Sequence, residues 1–343
     1  MTKGTPQTMK AWVQTDDYGL ENLKLETAHP VPTIDDSQDQ VLIKVQASSI
    51  NPVDYKLMKG NMSLFMKRSF PHVVGFDVCG IIVAKSKASK GDFKVGDVVY
   101  GDTGDRGSCA EYMVCPSDFV VKKPQNISAE EAASVPLVGL TAYQGLKFKG
   151  NIKKGDKVLV LGGSGGVGSM AIQMAKIMGA KHVTTTSSNV ELVDSLGADQ
   201  VINYKEGKWE VILNGAEYDI VFDCVGGGWE RSHQVLKKGG VFVTISSEEE
   251  NGPDVLSIGR VFSMVGNTIG RKAMAAIGMG PNYEFFLTNA GAPKDMTEIS
   301  EWIEARKLRV IMDPTSPYKY EDTKDAFKLL MSHRAKGKLA ISW

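Results

Sequence analysis

Between Met9 and about Ile127 the apolar residues come in short alternating or β-branched runs, KAWVQT, QVLIKVQASSI, VCGIIVAK, DVVYG and AEYMVC, divided by Gly, Pro, Asn and Asp. This pattern predicts a compact, mostly-β domain. Past Asn126 the rhythm changes. In SAEEAASVPLVGLTAYQGLKF, Ser128 and Glu131 have the spacing of a capping box and open a helix. Strand patterns then follow in KVLVLG, HVTTTS, QVINY, YDIVFDCVG and GGVFVTIS, with a further strand expected in SMVGNTIG. Helical patterns separate most of them, GSMAIQMAKIMG and VELVDSLG being the clearest. Met170, Ile172, Met174, Ala175 and Ile177 form the packing stripe of the first crossover helix. Continuous β-branched strands joined by helices imply a parallel sheet covered on both faces, an α/β doubly wound fold. The tail reads as a helix (DMTEISEWIEARKL), a strand-like RVIMD, a second helix (YEDTKDAFKLLMSH) and a last strand (KLAISW), and is expected to return to the first domain. The expected division is residues 1–128, completed by 291–343, and residues 129–290.

A chain of 343 residues exceeds what one core usually serves, which agrees with two domains. Forty basic and forty acidic residues cancel, so the electrostatic footprint of a nucleic-acid binder is absent. The one basic run, KFKGNIKKGDK, reads as a solvated loop. No stretch reaches the ~20 apolar residues of a membrane span, and the N-terminus enters a strand pattern too soon for a signal or transit peptide. A cytoplasmic protein is expected. Cys79, Cys109, Cys115 and Cys224 form no C-x-x-C pair and read as free thiols.

The most telling stretch is KVLVLGGSGGVGSM, where Gly163, Gly165 and Gly168 give G-x-G-x-x-G directly after a strand and at the opening of a helix. In that context the pattern points to a dinucleotide. The first glycine is expected to turn the chain, the next to let backbone reach the pyrophosphate, and Gly168 to let helix pack on strand. Gly163, Ser164, Gly165, Gly166, Val167 and Gly168 are therefore candidate cofactor-binding residues, the N–H groups at the helix start holding the anion. An NAD site places a carboxylate at the tip of the second strand, but TTTSSN (Thr184–Asn189) has none there. Ser187 and Ser188 offer hydroxyls to a 2′-phosphate, and Tyr204 offers another from the next strand. No Arg or Lys stands in that segment, yet NADPH is favoured over NADH.

SSINPVDYKLMKG, PHVVGFDVCGIIV, FKVGDVVYG, AEYMV, AASVPLVGLTAYQGL, VLVLGGSGGVGSMAIQMAK, LGADQVINY, DIVFDCVGG and GKLAIS span nearly the whole chain. Together they resemble the medium-chain dehydrogenase/reductase superfamily, and within it the zinc-free quinone oxidoreductase branch of zeta-crystallins, plant alkenal reductases and reticulon-interacting oxidoreductases. The resemblance implies a GroES-like mostly-β catalytic domain and a Rossmann domain. It implies that Asn51, with Tyr55 and Lys56 behind it, lies beside the nicotinamide, that Thr141, Val225, Ile245 and Ser246 line the cofactor, and that Lys336 or Lys338 approaches it; for both lysines plain exposure is the commoner state. It also implies a homodimer, with SMVGNTIG pairing across a two-fold axis.

Zinc-dependent relatives carry a G-H-E block and an upstream Cys where this chain has Phe76, in GFDVCG, and Asn51. Phe cannot ligate a metal, His72 alone reads as a structural histidine, and no metal is expected. Polarising a carbonyl then falls to hydrogen-bond donors, for which Asn51 and Tyr55 are the candidates, Pro52 fixing the turn that aims Asn51. Asp54 and Lys56 also read as a plain surface or turn pair, and Tyr143, expected near the cofactor with Thr141, reads equally as core. Conjugated acceptors suit such donors, because the incoming charge delocalises to oxygen. The expected activity is NADPH-dependent reduction of a quinone or an α,β-unsaturated carbonyl, water supplying the last proton. Rival readings are an NADPH-binding sensor with incidental turnover and a zinc alcohol dehydrogenase. The loops NMSLFMKRSF and MAAIGMGPNYEFF are expected to line an apolar substrate pocket.

Overall fold

The computed structural model describes residues 5–61, 63, 67–246 and 258–343. Its chain divides into two compact units, one of Met1–Leu140, Asn289–Arg306 and Val310–Trp343, the other of Thr141–Thr288 and Lys307–Arg309.

In the first unit the alternating runs become strands β1 (Thr8–Gln14), β2 (Leu23–Pro30), β3 (Val41–Ile50), β4 (His72–Val73), β5 (Asp77–Lys85), β6 (Val98–Asp102), β7 (Tyr112–Cys115) and β8 (Val121–Lys122). Strand β1 lies between β2 and β4 in a small antiparallel sheet, while β3 pairs with β5 and β7 in a larger one that continues through β6 to β8. Val41, Ile43, Val45, Val78, Ile82, Val99 and Met113 bury the inner face of the larger sheet. After β3 the chain forms α1 (Pro52–Met58) where the sequence predicts only a turn. Pro52 occupies the first helical position, where its missing N–H is no loss. The capping box is present, Glu131 N–H donating to Ser128 Oγ at 3.1 Å and Ser128 N–H to Glu131 Oε2 at 2.8 Å. The helix it opens, α2 (Ala129–Ala133), is short and is followed by α3 (Pro136–Gln144), because Pro136 cannot continue the helix before it.

The second unit alternates β9 (Lys157–Leu161), α4 (Gly166–Ile177), β10 (His182–Thr186), α5 (Val190–Ser195), β11 (Gln200–Ile202), α6 (Trp209–Ile212), β12 (Tyr218–Asp223), α7 (Trp229–Ser232), β13 (Leu236–Thr244), α8 (Ile258–Ala276) and β14 (Asn282–Phe285). The strands order as β11-β10-β9-β12-β13-β14, each neighbour parallel. This is the doubly wound order, which reverses between β9 and β12. One expectation fails here. SMVGNTIG is no strand but the middle of α8, and the sixth strand is β14, inside the stretch read as a pocket loop. The period decides it: Phe262, Val265 and Ile269 recur at helical intervals rather than at every second residue.

The tail contributes α9 (Pro293–Glu304), β15 (Tyr318–Lys319), α10 (Thr323–Met331) and β16 (Leu339–Ser342) to the first unit. RVIMD forms no strand, only a bridge from Met312 to Lys338. Strand β16 adds antiparallel to β3, so Leu339 and Ile341 enter the core of Trp12, Leu23, Ile50, Met58 and Phe327.

Candidate active site

In the second unit, the turn out of β9 is made by Gly162, whose φ of +87° suits glycine, one residue ahead of the glycine expected to turn the chain. Gly162 N–H donates to Thr186 Oγ1 at 3.0 Å and Gly163 N–H to Thr186 O at 3.0 Å, anchoring the loop on β10. A Cβ on Gly163 would lie 2.1 Å from Thr185 Oγ1, and one on Gly168 would lie 2.1 Å from Gly162 O, so both positions must be glycine for helix and strand to pack. Gly165 differs: its Cβ would meet only Gly162 O, at 3.5 Å, and the residue is exposed. No side chain caps α4 at Gly165. Its first N–H groups therefore remain for a ligand, and the helix dipole favours an anion there. Ser164 and Val167 flank this opening, half-buried.

Asp223, at the end of β12, shapes the facing loop. Its carboxylate accepts from the N–H groups of Val225 (3.0 Å), Gly226 (2.8 Å) and Gly228 (2.9 Å). Burial raises its pKa against those bonds. Val225 is 62% exposed and lies against Gly162, so the two loops where the strand order reverses meet. Neither Asp223 nor Thr186 figured in the sequence reading, although an Asp just ahead of a glycine run was a signal for it.

At the tip of β10 the two serines part company. Ser187 is buried and accepts from Asn189 N–H at 2.9 Å, which commits it to the turn into α5. Ser188 is exposed and accepts from Tyr204 Oη at 3.4 Å, across from a tyrosine that is itself 56% exposed. Lys205, exposed next to Tyr204, is a cation near this tip that lies outside the segment TTTSSN. Thr141 is buried with its Oγ1 2.6 Å from Thr288 Oγ1. Ile245 is half-buried beyond β13, and the buried Ser246 N–H donates to Thr244 Oγ1 at 3.2 Å. Tyr143 is buried under the Lys147 ammonium. Met62, Leu64, Phe65 and Met66 of the first expected pocket loop lie outside the described residues.

The first unit collects a polar row on the larger sheet. Register places Leu339 opposite Ile50, Ser49 opposite Asp77, and Asp77 opposite Asp102, so Lys338, Asn51, Asp77 and Asp102 come together from β16, β3, β5 and β6 or the residues just beyond them. Asn51 is 1% exposed. Its Nδ2 donates to Asp77 Oδ2 at 2.8 Å, and its Oδ1 accepts from Lys338 Nζ at 2.5 Å. Asp77 Oδ2 also accepts from Ser49 Oγ at 2.9 Å, and Oδ1 from Leu137 N–H at 2.9 Å. Lys338 Nζ stands 3.4 Å from Asp77 Oδ2 and 3.3 Å from Ile50 O.

Lys338 is thus buried, at 4% exposure, whereas Lys336 is exposed, its N–H donating to Asp313 Oδ2 at 2.7 Å. Burial pushes the Lys338 ammonium below its ordinary value, while Asp77 and Asp54 hold it up. Asp54 is no surface residue: it is fully buried at the third position of α1 and accepts Asn51 N–H at 2.6 Å. Burial lifts its carboxyl well above the usual range. Burial, and then the carboxylate of Asp77, push Asp102 up to about 7. Tyr55 is buried on α1, and Lys56 is half-buried beside it. His72 stands 3.1 Å from Asp105, which Arg68 grips with two bonds of 2.7 Å.

Residues 37–125 match the family model of the alcohol dehydrogenase GroES-like domain, and residues 196–341 that of zinc-binding dehydrogenase. The chain is 37% identical to 2-methylene-furan-3-one reductase of Solanum lycopersicum, over 98% of its own length and 79% of that protein's. It is 35% identical to the chloroplastic NADPH-dependent alkenal/one oxidoreductase of Arabidopsis thaliana, over 98% and 80%. The quinone oxidoreductase of Coxiella burnetii superposes with a TM-score of 0.81 at 31% identity, covering 98% of this chain and 99% of that one. The zinc-binding description implies a metal. Among the described residues no group of three or more His, Cys, Asp or Glu is placed to hold one. The Asn51 amide is already engaged by Lys338 and Asp77. These residues do not fit a zinc ion.

Proposed function

Since the chain belongs to the medium-chain dehydrogenase/reductase superfamily, among its quinone oxidoreductase and enone reductase members, we propose that it uses NADPH to reduce a quinone or an α,β-unsaturated carbonyl. One observation carries the choice of nucleotide: beside the glycine loop, the tip of β10 presents the paired hydroxyls of Ser188 and Tyr204 where a carboxylate would select NADH. The name of the Arabidopsis relative supports the same nucleotide.

The N–H groups of Gly166 and Val167, at the start of α4, hold the pyrophosphate, Gly163, Ser164, Gly165 and Gly168 shaping the loop around it, where Gly165 N–H donates to Gly162 O at 3.2 Å. Ser188, Tyr204 and Lys205 receive the 2′-phosphate, and Ser187 serves only by fixing the turn. Thr141, Val225, Ile245 and Ser246 line the rest of the nucleotide. When bound, the reduced nicotinamide supplies the hydride. Asn51 and Tyr55 donate to the acceptor's carbonyl oxygen, where negative charge collects as the hydride adds to the conjugated system, with Lys56 behind them. Water then protonates the product, so the acceptor gains one hydride and one proton. The catalytic domain we propose is residues 1–128 with 291–343, the nucleotide domain 129–290.

A homodimer is part of this reading, with β14 as the strand to pair, since it ends the sheet and SMVGNTIG does not. A cytoplasmic location is proposed, and no described helix is long and apolar enough to cross a membrane. The sensor reading is not favoured, because the relatives are named for reductase turnover. Mixing the protein with NADPH and a panel of quinones and enones, and following nicotinamide absorbance, tests the activity. Consumption with at least one acceptor class is expected; binding without turnover on any acceptor would restore the sensor.

A further inference from the structure

A lysine ammonium is costly to bury, and replacing a buried ion pair by apolar side chains is often neutral or stabilising. Stability alone therefore gives no reason for Lys338 to sit inside the first unit at 4% exposure. What it touches gives one. Its Nζ is 2.5 Å from Asn51 Oδ1, and on the other side Asn51 Nδ2 is 2.8 Å from Asp77 Oδ2. An ammonium only donates and a carboxylate only accepts, so the amide has one permitted orientation; turning it over would set NH2 against NH3+ and oxygen against carboxylate. Asp77 is itself fixed by Ser49 Oγ and Leu137 N–H.

We propose that Lys338 and Asp77 are positioning residues that clamp and polarise the Asn51 amide, leaving one Nδ2 hydrogen for the reaction. The inference rests on the proposed reductase reading for what Asn51 does, but not for the clamp itself. An ammonium on Oδ1 draws electron density through the amide and makes the remaining Nδ2–H a stronger donor, as in any chain of hydrogen bonds in a low dielectric. A fixed cation thereby acts on the acceptor oxygen through Asn51 without touching it. Neither the sequence position of Lys338, one residue before a terminal strand, nor its charge revealed this; only the register of β16 on β3 does.

The test is a double-mutant cycle on the full chain, K338M, N51A and the double variant, with D77N/K338M as the variant that removes both charges of the Lys338–Asp77 pair and so leaves neither partner buried alone. K338M and D77N/K338M are expected to lower kcat roughly tenfold to a hundredfold, in the range found for residues that orient a catalytic ligand, while the calorimetric Kd for NADPH stays within about threefold of wild type. The double variant K338M/N51A should be no slower than N51A, because both act through one amide. In the protein without nucleotide, the NMR signals of the Asn51 side-chain amide, assigned by their loss in N51A, should shift in K338M. Additive losses in the cycle, unchanged kcat in folded D77N/K338M, or an unmoved amide signal would overturn the clamp. A wild-type protein that consumes no NADPH with any acceptor would sink the reductase reading instead, and the amide signal would still decide the clamp.

Discussion

At the scale of single residues, burial separates groups that look alike in the sequence. Lys336 and Lys338 are two positions apart, yet one is exposed and the other closes a polar row beneath Asn51. Asp54 and Asp102 are likewise buried beside Asp77, with one lysine among three carboxylates. The carboxyl of Asp102, which ordinarily titrates at 3.8, is raised to about 7 by burial and by Asp77. The native state then keeps this proton between about pH 4 and about pH 7 while the unfolded chain releases it, so stability falls as pH rises through that window and the cost persists above it. Asp102→Asn, which can still accept Gly104 N–H through its amide oxygen, should flatten the decline in melting temperature between about pH 5 and about pH 8. Parallel wild-type and variant curves would show that Asp102 is ionised throughout.

At the scale of elements, the glycine loop divides its labour in a way that substitution can read. A methyl at Gly168 would strike Gly162 O at 2.1 Å, a backbone atom that can move only if the loop does. Gly168→Ala should therefore cost roughly 1–3 kcal/mol or more in stability and weaken nucleotide binding with it. Gly165→Ala makes only an ordinary contact with Gly162 O at 3.5 Å, so thermal melts should leave it near wild type while calorimetry shows weaker NADPH binding, because the methyl enters the region the pyrophosphate must approach. Equal losses in both variants, or in neither, would remove the distinction. The strand, loop and helix here were legible from the sequence because Val158–Leu161, the glycines and the stripe of Met170 and Met174 each follow a local rule. Other elements obey no such rule. SMVGNTIG carries β-branched residues and glycines that look strand-like, while its apolar period is helical, and α1 hid behind a proline that normally signals a turn. Long-range register was not legible at all, which is why the neighbours of Asn51 on β5 and β16 and the anchoring roles of Thr186 and Asp223 emerge only from the folded chain.

At the scale of the whole molecule, the fold class was readable because each unit follows from its own periodicity: antiparallel sheets from alternation in the first, and a six-stranded parallel sheet from β-branched runs between helices in the second. The doubly wound order fixes where a ligand goes, since the loops after β9 and β12 meet through Gly162 and Val225 where the order reverses. The identity of that ligand is the central claim, and calorimetric titration of wild type and Tyr204→Phe with NADPH and with NADH tests it most directly. NADPH should bind wild type at least about tenfold more tightly than NADH, and the variant should lose much of that preference while holding NADH as before, since one charged hydrogen bond contributes roughly 1.5–3 kcal/mol. Equal affinity of the wild type for both nucleotides, or no heat of binding from either, would contradict the account.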